Sequence, residues 1–148
     1  MADRTLVLVR HSKSDWSGSH ADRDRPLARR GRRQAAEAGR WLAEHVPRFD
    51  LAVVSPAARA VQTWDLVAAA LRSAPPVRVE EAAYTFDGHV LHSLVRDLEG
   101  IVALVGHNPA VEELLELLTG EVRRMPTSCL AVVDLDHGRL THHGRPPA

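Results

Sequence analysis

The sequence predicts an α/β fold: a three-layer sandwich with helices on both faces of a mostly parallel central sheet. Three observations carry that expectation. Short apolar runs alternate with longer stretches patterned for helix. The runs are apolar nearly throughout, as strands covered on both faces must be. Arginine and histidine gather where the runs end.

The first run, Leu6–Val9, passes directly into Arg10 and His11. Residues 29–46, RRGRRQAAEAGRWLAEHV, set Ala35, Ala38, Leu42 and Val46 at helical spacing. LAVVS at 51–55 reads as a second strand, and ARAVQTWDLVAAALR at 58–72 as a helix with Val61, Trp64 and Leu71 on its apolar side. VRVE at 77–80 is a third strand, Leu91–Leu98 a shorter helix, and IVALVG at 101–106 a fourth strand. The next helix opens with Pro109, which suits a first turn, and closes at Gly120, which suits a C-terminal cap. LAVVDL at 130–135 completes the set. No repeat, low-complexity tract or linker divides the 148 residues. One domain over 1–148 is expected, with a loose Pro-rich tail over 143–148.

Composition excludes several classes. Nineteen basic and nineteen acidic residues cancel, which leaves no global field to draw in nucleic acid or an anionic membrane. The run RDRPLARRGRR is broken by Asp24, preceded by Asp22 and free of aromatic residues; it fits solvated arginines entering an amphipathic helix. No apolar stretch approaches the ~20 residues that span a bilayer. The N-terminal segment carries Asp3 and too short an apolar run for a secretory signal. Cys129 is the one cysteine, so no internal disulfide forms and a cytoplasmic setting is expected, with Cys129 a buried core thiol. His89 and His92, and the pair His142–His143, have no Cys or acidic residue at a telling spacing, so neither a metal site nor a cofactor is expected. Trp16, Trp41 and Trp64 read as packing residues, with Trp16 near enough to His11 to wall a pocket.

The functional signal lies in where the polar residues sit. One strand ends in Arg10-His11, the next in Ser55-Pro56 leading to Arg59, and the fourth in Gly106-His107-Asn108. In open parallel sheets ligands bind in the crevice outside the carboxyl ends of the strands. Two arginines and two histidines therefore converge on one rim, with no obvious carboxylate to balance them. Forked guanidinium donors match phosphate oxygens, and backbone N–H groups at a helix start add to anion binding. The neighbouring cations disfavour imidazolium at His11, and a neutral imidazole against phosphorus is a nucleophile. Charge developing on the equatorial oxygens would be met by the arginines and by a cationic or donor His107. The sole lysine and sole asparagine, Lys13 and Asn108, each lie within two residues of one of these histidines and are candidate substrate contacts.

At these residues a family resemblance becomes specific. LVLVRHSKSDWS resembles the R-H-G signature of the histidine phosphatase, or phosphoglycerate mutase-like, superfamily. SPAARAVQT resembles its second element, S-P-x-x-R-A-x-Q-T, and VGHNPAVEELL its late G-H. The short length and DRPLARRGRRQA look most like the SixA group of phosphohistidine phosphatases. The resemblance implies a phosphoglycerate mutase-like fold, His11 as the phosphorylated nucleophile, and Arg10, Arg59 and His107 as the phosphate pocket. Ser17 stands where many relatives place a phosphate-touching asparagine. Ser12 replaces the usual glycine. The general acid of ester-cleaving relatives falls on Glu81, with Glu80 the neighbouring alternative.

The identity of the leaving group decides how much that acid matters. An alkoxide needs a proton, worth ~10²–10⁴ in rate, whereas an imidazole of ordinary pKa ~6.5 departs readily protonated. The expected activity is thus a metal-independent phosphatase acting through phospho-His11 on phosphohistidine in a protein. A small phosphate ester or nucleotide is the alternative substrate and would require Glu81. A non-catalytic phosphoryl-binding or scaffold protein is the alternative of another class, and His11 itself speaks against it. A mutase is disfavoured because the chain is too short for a substantial lid. The expected partner is a phosphorylated protein or small phosphorylated substrate, the chain itself a monomer or weak dimer.

Overall fold

Leu6, Val7, Leu8 and Val9 are all fully buried, which requires cover on both sides of the strand they form. The computed structural model, which describes residues 1–147, provides it. In chain order the elements are β1 (Thr5–Arg10), α1 (Arg29–His45), β2 (Leu51–Val54), α2 (Ala58–Ala70), β3 (Val77–Val79), α3 (Gly88–Val95), β4 (Ile101–Gly106), α4 (Ala110–Thr119), β5 (Leu130–Asp134) and β6 (Arg139–Gly144). Two single 3-10 turns, Asp22–Asp24 and Glu81–Ala83, lie in the connections. None of the described helices is long and apolar enough to cross a membrane.

The strands form one six-stranded sheet in the order β3-β2-β4-β1-β5-β6. β3, β2, β4 and β1 are mutually parallel, as the sequence predicts. Side chains alternate between faces along each strand. Val7, Val9, Ala103 and Val105 meet Ala38 and Leu42 of α1 and Trp64 and Val67 of α2. Leu6, Leu8, Val102 and Leu104 meet Leu91 and Val95 of α3 and Leu114 and Leu115 of α4. Each such leucine, fully buried, contributes roughly 2 kcal/mol relative to exposure. Phe49 packs edge-on against Trp64, with ring centroids 5.7 Å apart, a geometry aromatic pairs favour.

Register then positions the site. Arg10 pairs with Gly106 and Val54 with Val105. The residues just beyond, His11, His107 and Ser55, therefore emerge side by side at one edge of the sheet. The His11 N–H donates to the Gly106 carbonyl (3.2 Å) and the Ser55 N–H to the Val105 carbonyl (3.1 Å).

The sheet is mostly parallel, as expected, and its first antiparallel strand is β5, which runs against β1. The segment after α4 returns to the His11 end before the strand begins, tied there by the Ser128 N–H to the His11 carbonyl (3.0 Å), so β5 has to run back down the sheet. The third helix starts earlier than Leu91, where Asp87 caps it by accepting from the His89 N–H (2.9 Å), and it stops at Val95. The tail expected from His143 is held in place at its start. His143 and Gly144 belong to β6, and Arg145 Nε donates to the Thr127 carbonyl (2.8 Å). Ala148, the last residue of that expected tail, lies outside the described residues.

Candidate active site

His11, Arg59 and His107 are each less than a tenth exposed, and with Arg10 they line one cavity of about 300 Å³. Each is delivered by the end of a strand or the first turn of the helix that follows it. Lys13, Asn108, Trp16, Asp22 and Arg25 complete most of the wall. Four cations therefore face one carboxylate, and the cavity is electropositive.

His11 Nδ1 donates to the carbonyl of Ser12 (2.8 Å). With the proton fixed there, the lone pair is on Nε2. Burial is the main cause that pushes the ring pKa down to about 3, with His107, Arg59 and Arg10 adding to it. The neutral state expected from adjacent arginines is present, and desolvation dominates it. The His107 ring lies 5.1 Å from that of His11, centroid to centroid. Its Nε2 shares a hydrogen bond with Ser55 Oγ (2.7 Å), while its buried Nδ1 has no protein partner. Burial and Arg59 lower its pKa to about 4, which favours a neutral ring over the cation that the sequence allowed.

Ser12, in the place of the family glycine, is fully buried and costs no left-handed backbone. Its hydroxyl donates to Ser128 Oγ (3.0 Å) and its N–H to Thr63 Oγ1 (3.0 Å). The strain sits instead at Ser128, a non-glycine residue with φ 64°. Such a conformation costs of order 1 kcal/mol. The bond from Ser12 and the Ser128 N–H bond to the His11 carbonyl offset it.

Asp22 was not legible as a site residue. Its carboxylate accepts from Arg25 Nη2 (2.8 Å), from Arg59 Nη2 (3.1 Å) and from the Tyr84 hydroxyl. Those bonds, Tyr84 first and Arg25 next, hold it far below the usual carboxylate range. Arg25 also donates to Ser14 Oγ and lies 3.6 Å from the centre of the Trp16 ring. Trp16 walls the pocket as expected, yet it is 70% exposed. The D-x-x-R-P spacing that places Asp22 and Arg25 together was visible, but as loop charge it carried no sign of long-range pairing to Arg59.

The remaining candidates divide. Lys13 and Asn108 face the cavity; Asn108 Nδ2 donates to Glu112 Oε2 (2.8 Å) and to the Met125 carbonyl (2.9 Å). Ser17 does not line it, and its hydroxyl donates to Asp15 Oδ1 (2.6 Å). Glu81 is turned away into a surface ion pair with Arg23, whose hydrogen bond lowers its pKa. An ionised surface carboxylate is in the wrong state and place for a general acid. Glu80 does not line the cavity either. Among the described residues no three His, Cys, Asp or Glu side chains group to hold a metal ion.

The family model that matches residues 6–83, a span holding both His11 and Arg59, is that of the histidine phosphatase superfamily (branch 1). The chain belongs to that superfamily. Membership implies phosphatase or mutase activity. An uncharacterized protein of Mycobacterium tuberculosis is 37% identical over 113 residues, covering 74% of this chain and 69% of that one. A 2,3-bisphosphoglycerate-dependent phosphoglycerate mutase of Nitrobacter winogradskyi is 37% identical over 101 residues, and the matched segment spans about half of the mutase (49%). In structure the chain is SixA-like. It superposes on the putative phosphohistidine phosphatase SixA of Agrobacterium tumefaciens with a TM-score of 0.87 and 30% identity, covering 99% of this chain and 100% of the other.

Proposed function

We propose that this histidine phosphatase hydrolyses phosphohistidine in a protein, through a covalent phosphoryl intermediate on His11 and without a metal, in the cytoplasm. The observation that carries the reading is the Nδ1 bond from His11 to the Ser12 carbonyl, which leaves Nε2 of a neutral ring free as nucleophile. The incoming phosphoryl group is met by Arg10 and Arg59, with Lys13 and Asn108 beside it. Nε2 attacks phosphorus as the bond to the substrate imidazole breaks, and the electron pair leaves on that imidazole nitrogen, which takes a proton from solvent. Water then attacks phospho-His11. A new P–O bond forms, the P–Nε2 bond breaks, the ring returns neutral, and the water proton leaves with phosphate and solvent. Charge on the equatorial oxygens is stabilised by the guanidinium groups.

The position of Glu81 favours an imidazole over an alkoxide leaving group. Among the described residues no carboxylic acid other than ionised Asp22 lines the pocket, and an imidazole leaving group tolerates that lack. The SixA-like structure points the same way. A single, buried Cys129 without a disulfide partner supports the cytoplasmic placement.

The test is a phosphoryl trap. Wild type and His11→Ala are mixed with a labelled phosphohistidine protein or an aryl phosphate, with chelator present, and quenched in alkali. Acid-labile, alkali-stable label on wild type alone is the expected result. No label and no turnover by folded, phosphate-binding protein would replace the enzyme by a binding module.

A further inference from the structure

A trough of about 720 Å³ opens beside the active site, between the start of α3 and the outer side of α4. Its walls include Phe86, Asp87, His89, Glu113, Glu116 and Leu117. Phe86 is the shared boundary. The same ring borders the His11 cavity and a recess of about 260 Å³ formed with Tyr84 and His107. The three spaces thus adjoin one another around one aromatic side chain.

That ring is 76% exposed, and Leu117 across the trough is 45% exposed. A large apolar side chain left in water at the mouth of a site is a mark of a contact surface. The charge changes sign along the path. The His11 cavity sets four cations against one carboxylate, whereas the trough has three carboxylates and no arginine or lysine. Asp87 and Glu113 are partly occupied in holding the start of α3. The Glu116 carboxylate has neither ion pair nor hydrogen bond among the described residues.

We propose that this trough docks the polypeptide around the phosphorylated histidine, and that it selects a segment carrying an apolar side chain next to a lysine or arginine. The proposal rests on the reading that the substrate is a protein. The phosphoryl group enters the basic cavity while the neighbouring cation meets Glu116, and the apolar residue lies between Phe86 and Leu117. Opposite fields at fixed separation orient the substrate as well as attract it.

Two synthetic peptides, each with one phosphohistidine and differing only in Leu-Lys or Leu-Glu flanks, test this against free phosphohistidine. Wild type is expected to favour the Lys peptide in kcat/KM by about fivefold, the upper end for one exposed ion pair. Glu116→Lys should reverse that preference and leave turnover of free phosphohistidine within about twofold. Leu117→Ser should weaken both peptides and spare the free amino acid. Equal use of the peptides by wild type, or an unchanged preference in Glu116→Lys, would overturn the docking proposal.

If wild type turns over none of the three yet cleaves an aryl phosphate, the phosphohistidine reading fails by itself. Anisotropy of labelled peptides on His11→Ala then reads the trough directly: tighter binding of the Lys peptide, lost on adding Glu116→Lys, supports it, and equal binding overturns it. Sedimentation covers the other occupant. Self-association abolished by Glu116→Lys, with no effect on peptides, would make the trough a contact between copies and sink the proposal.

Discussion

Both terminal nitrogens of Arg59 are held by one residue, Asp22: Nη1 donates to its carbonyl (2.7 Å) and Nη2 to its carboxylate (3.1 Å). The arginine that should grip a phosphoryl group is thereby fixed in place and also partly neutralised. The opposing effects separate by substitution. Asp22→Asn keeps the backbone carbonyl and removes the charge, so the potential at the cavity rises. Inorganic phosphate should then inhibit about fivefold more tightly, the size of roughly 1 kcal/mol from one partly screened charge. kcat should fall, because Arg25 and Tyr84 lose their ionic anchor. Product inhibition against an aryl phosphate measures both. Unchanged or weaker phosphate binding would show that Asp22 matters to Arg59 only as a brace.

The contrast between Arg59 and Asp22 also explains how much could be read from the sequence. His11, Arg59 and His107 follow buried strands, and a parallel sheet brings such positions together by topology. Asp22 and Arg25 belong to a connection, and only long-range pairing, 37 residues apart for Asp22 and Arg59, places them. Glu81 shows the reverse error: a 3-10 turn over Glu81–Ala83 carries it outward to Arg23. Among the strands, β5 is as apolar as β1, and a strand buried on both faces carries no mark of its direction. β6 was not legible because RLTHHG offers one aliphatic residue in six, and its partner β5 supplies the apolar face.

The placement of Glu81 makes a sharp distinction. Were it a general acid, Glu81→Gln would cost ester hydrolysis ~10²–10⁴. Paired to Arg23 on the surface, it should change kcat with either an aryl phosphate or phosphohistidine by no more than about twofold, as surface ion pairs contribute little. Steady-state rates on both substrates decide. A loss of a hundredfold on the ester alone would mean that the turn swings inward when substrate binds.

Acid should destabilise the fold through His11. Its folded pKa is depressed, to about 3, against ~6.5 unfolded. Above pH ~6.5 the ring is neutral in both states and adds no pH dependence. As pH falls below that value the unfolded chain takes up the proton first, so stability declines until the folded pKa is reached. Between pH 7 and pH 5 the loss from His11 is about 2 kcal/mol. Urea unfolding of wild type and His11→Asn at the two pH values should show the variant losing about 2 kcal/mol less. Equal losses would place the His11 proton equilibrium near that of a free imidazole. His107, lowered to about 4, acts in the same direction and is common to both proteins.

The backbone beyond His11 is clamped to the first turns of α1. The Ala28 N–H donates to the Lys13 carbonyl (2.9 Å), and the Lys13 N–H donates to Gln34 Oε1 (3.0 Å). The close approach depends on Gly31, where an added Cβ would stand 1.9 Å from the Lys13 carbonyl oxygen. Backbone cannot yield as a flexible side chain does, so Gly31→Ala should cost about 1–3 kcal/mol of stability. It should also cost activity, because Lys13 adjoins Ser12, whose carbonyl fixes the His11 ring. kcat is expected to drop about tenfold or more with little change in KM, in keeping with the sensitivity of catalysis to ~1 Å misplacement. Leu42→Ala is the control, since it truncates a fully buried side chain on the same helix at a cost of roughly 2–5 kcal/mol. Both are assayed at a temperature where circular dichroism shows them folded. If Gly31→Ala then keeps its kcat, the clamp stabilises the fold without aiming the nucleophile; if Leu42→Ala keeps kcat and Gly31→Ala loses it, α1 positions His11 through that single contact.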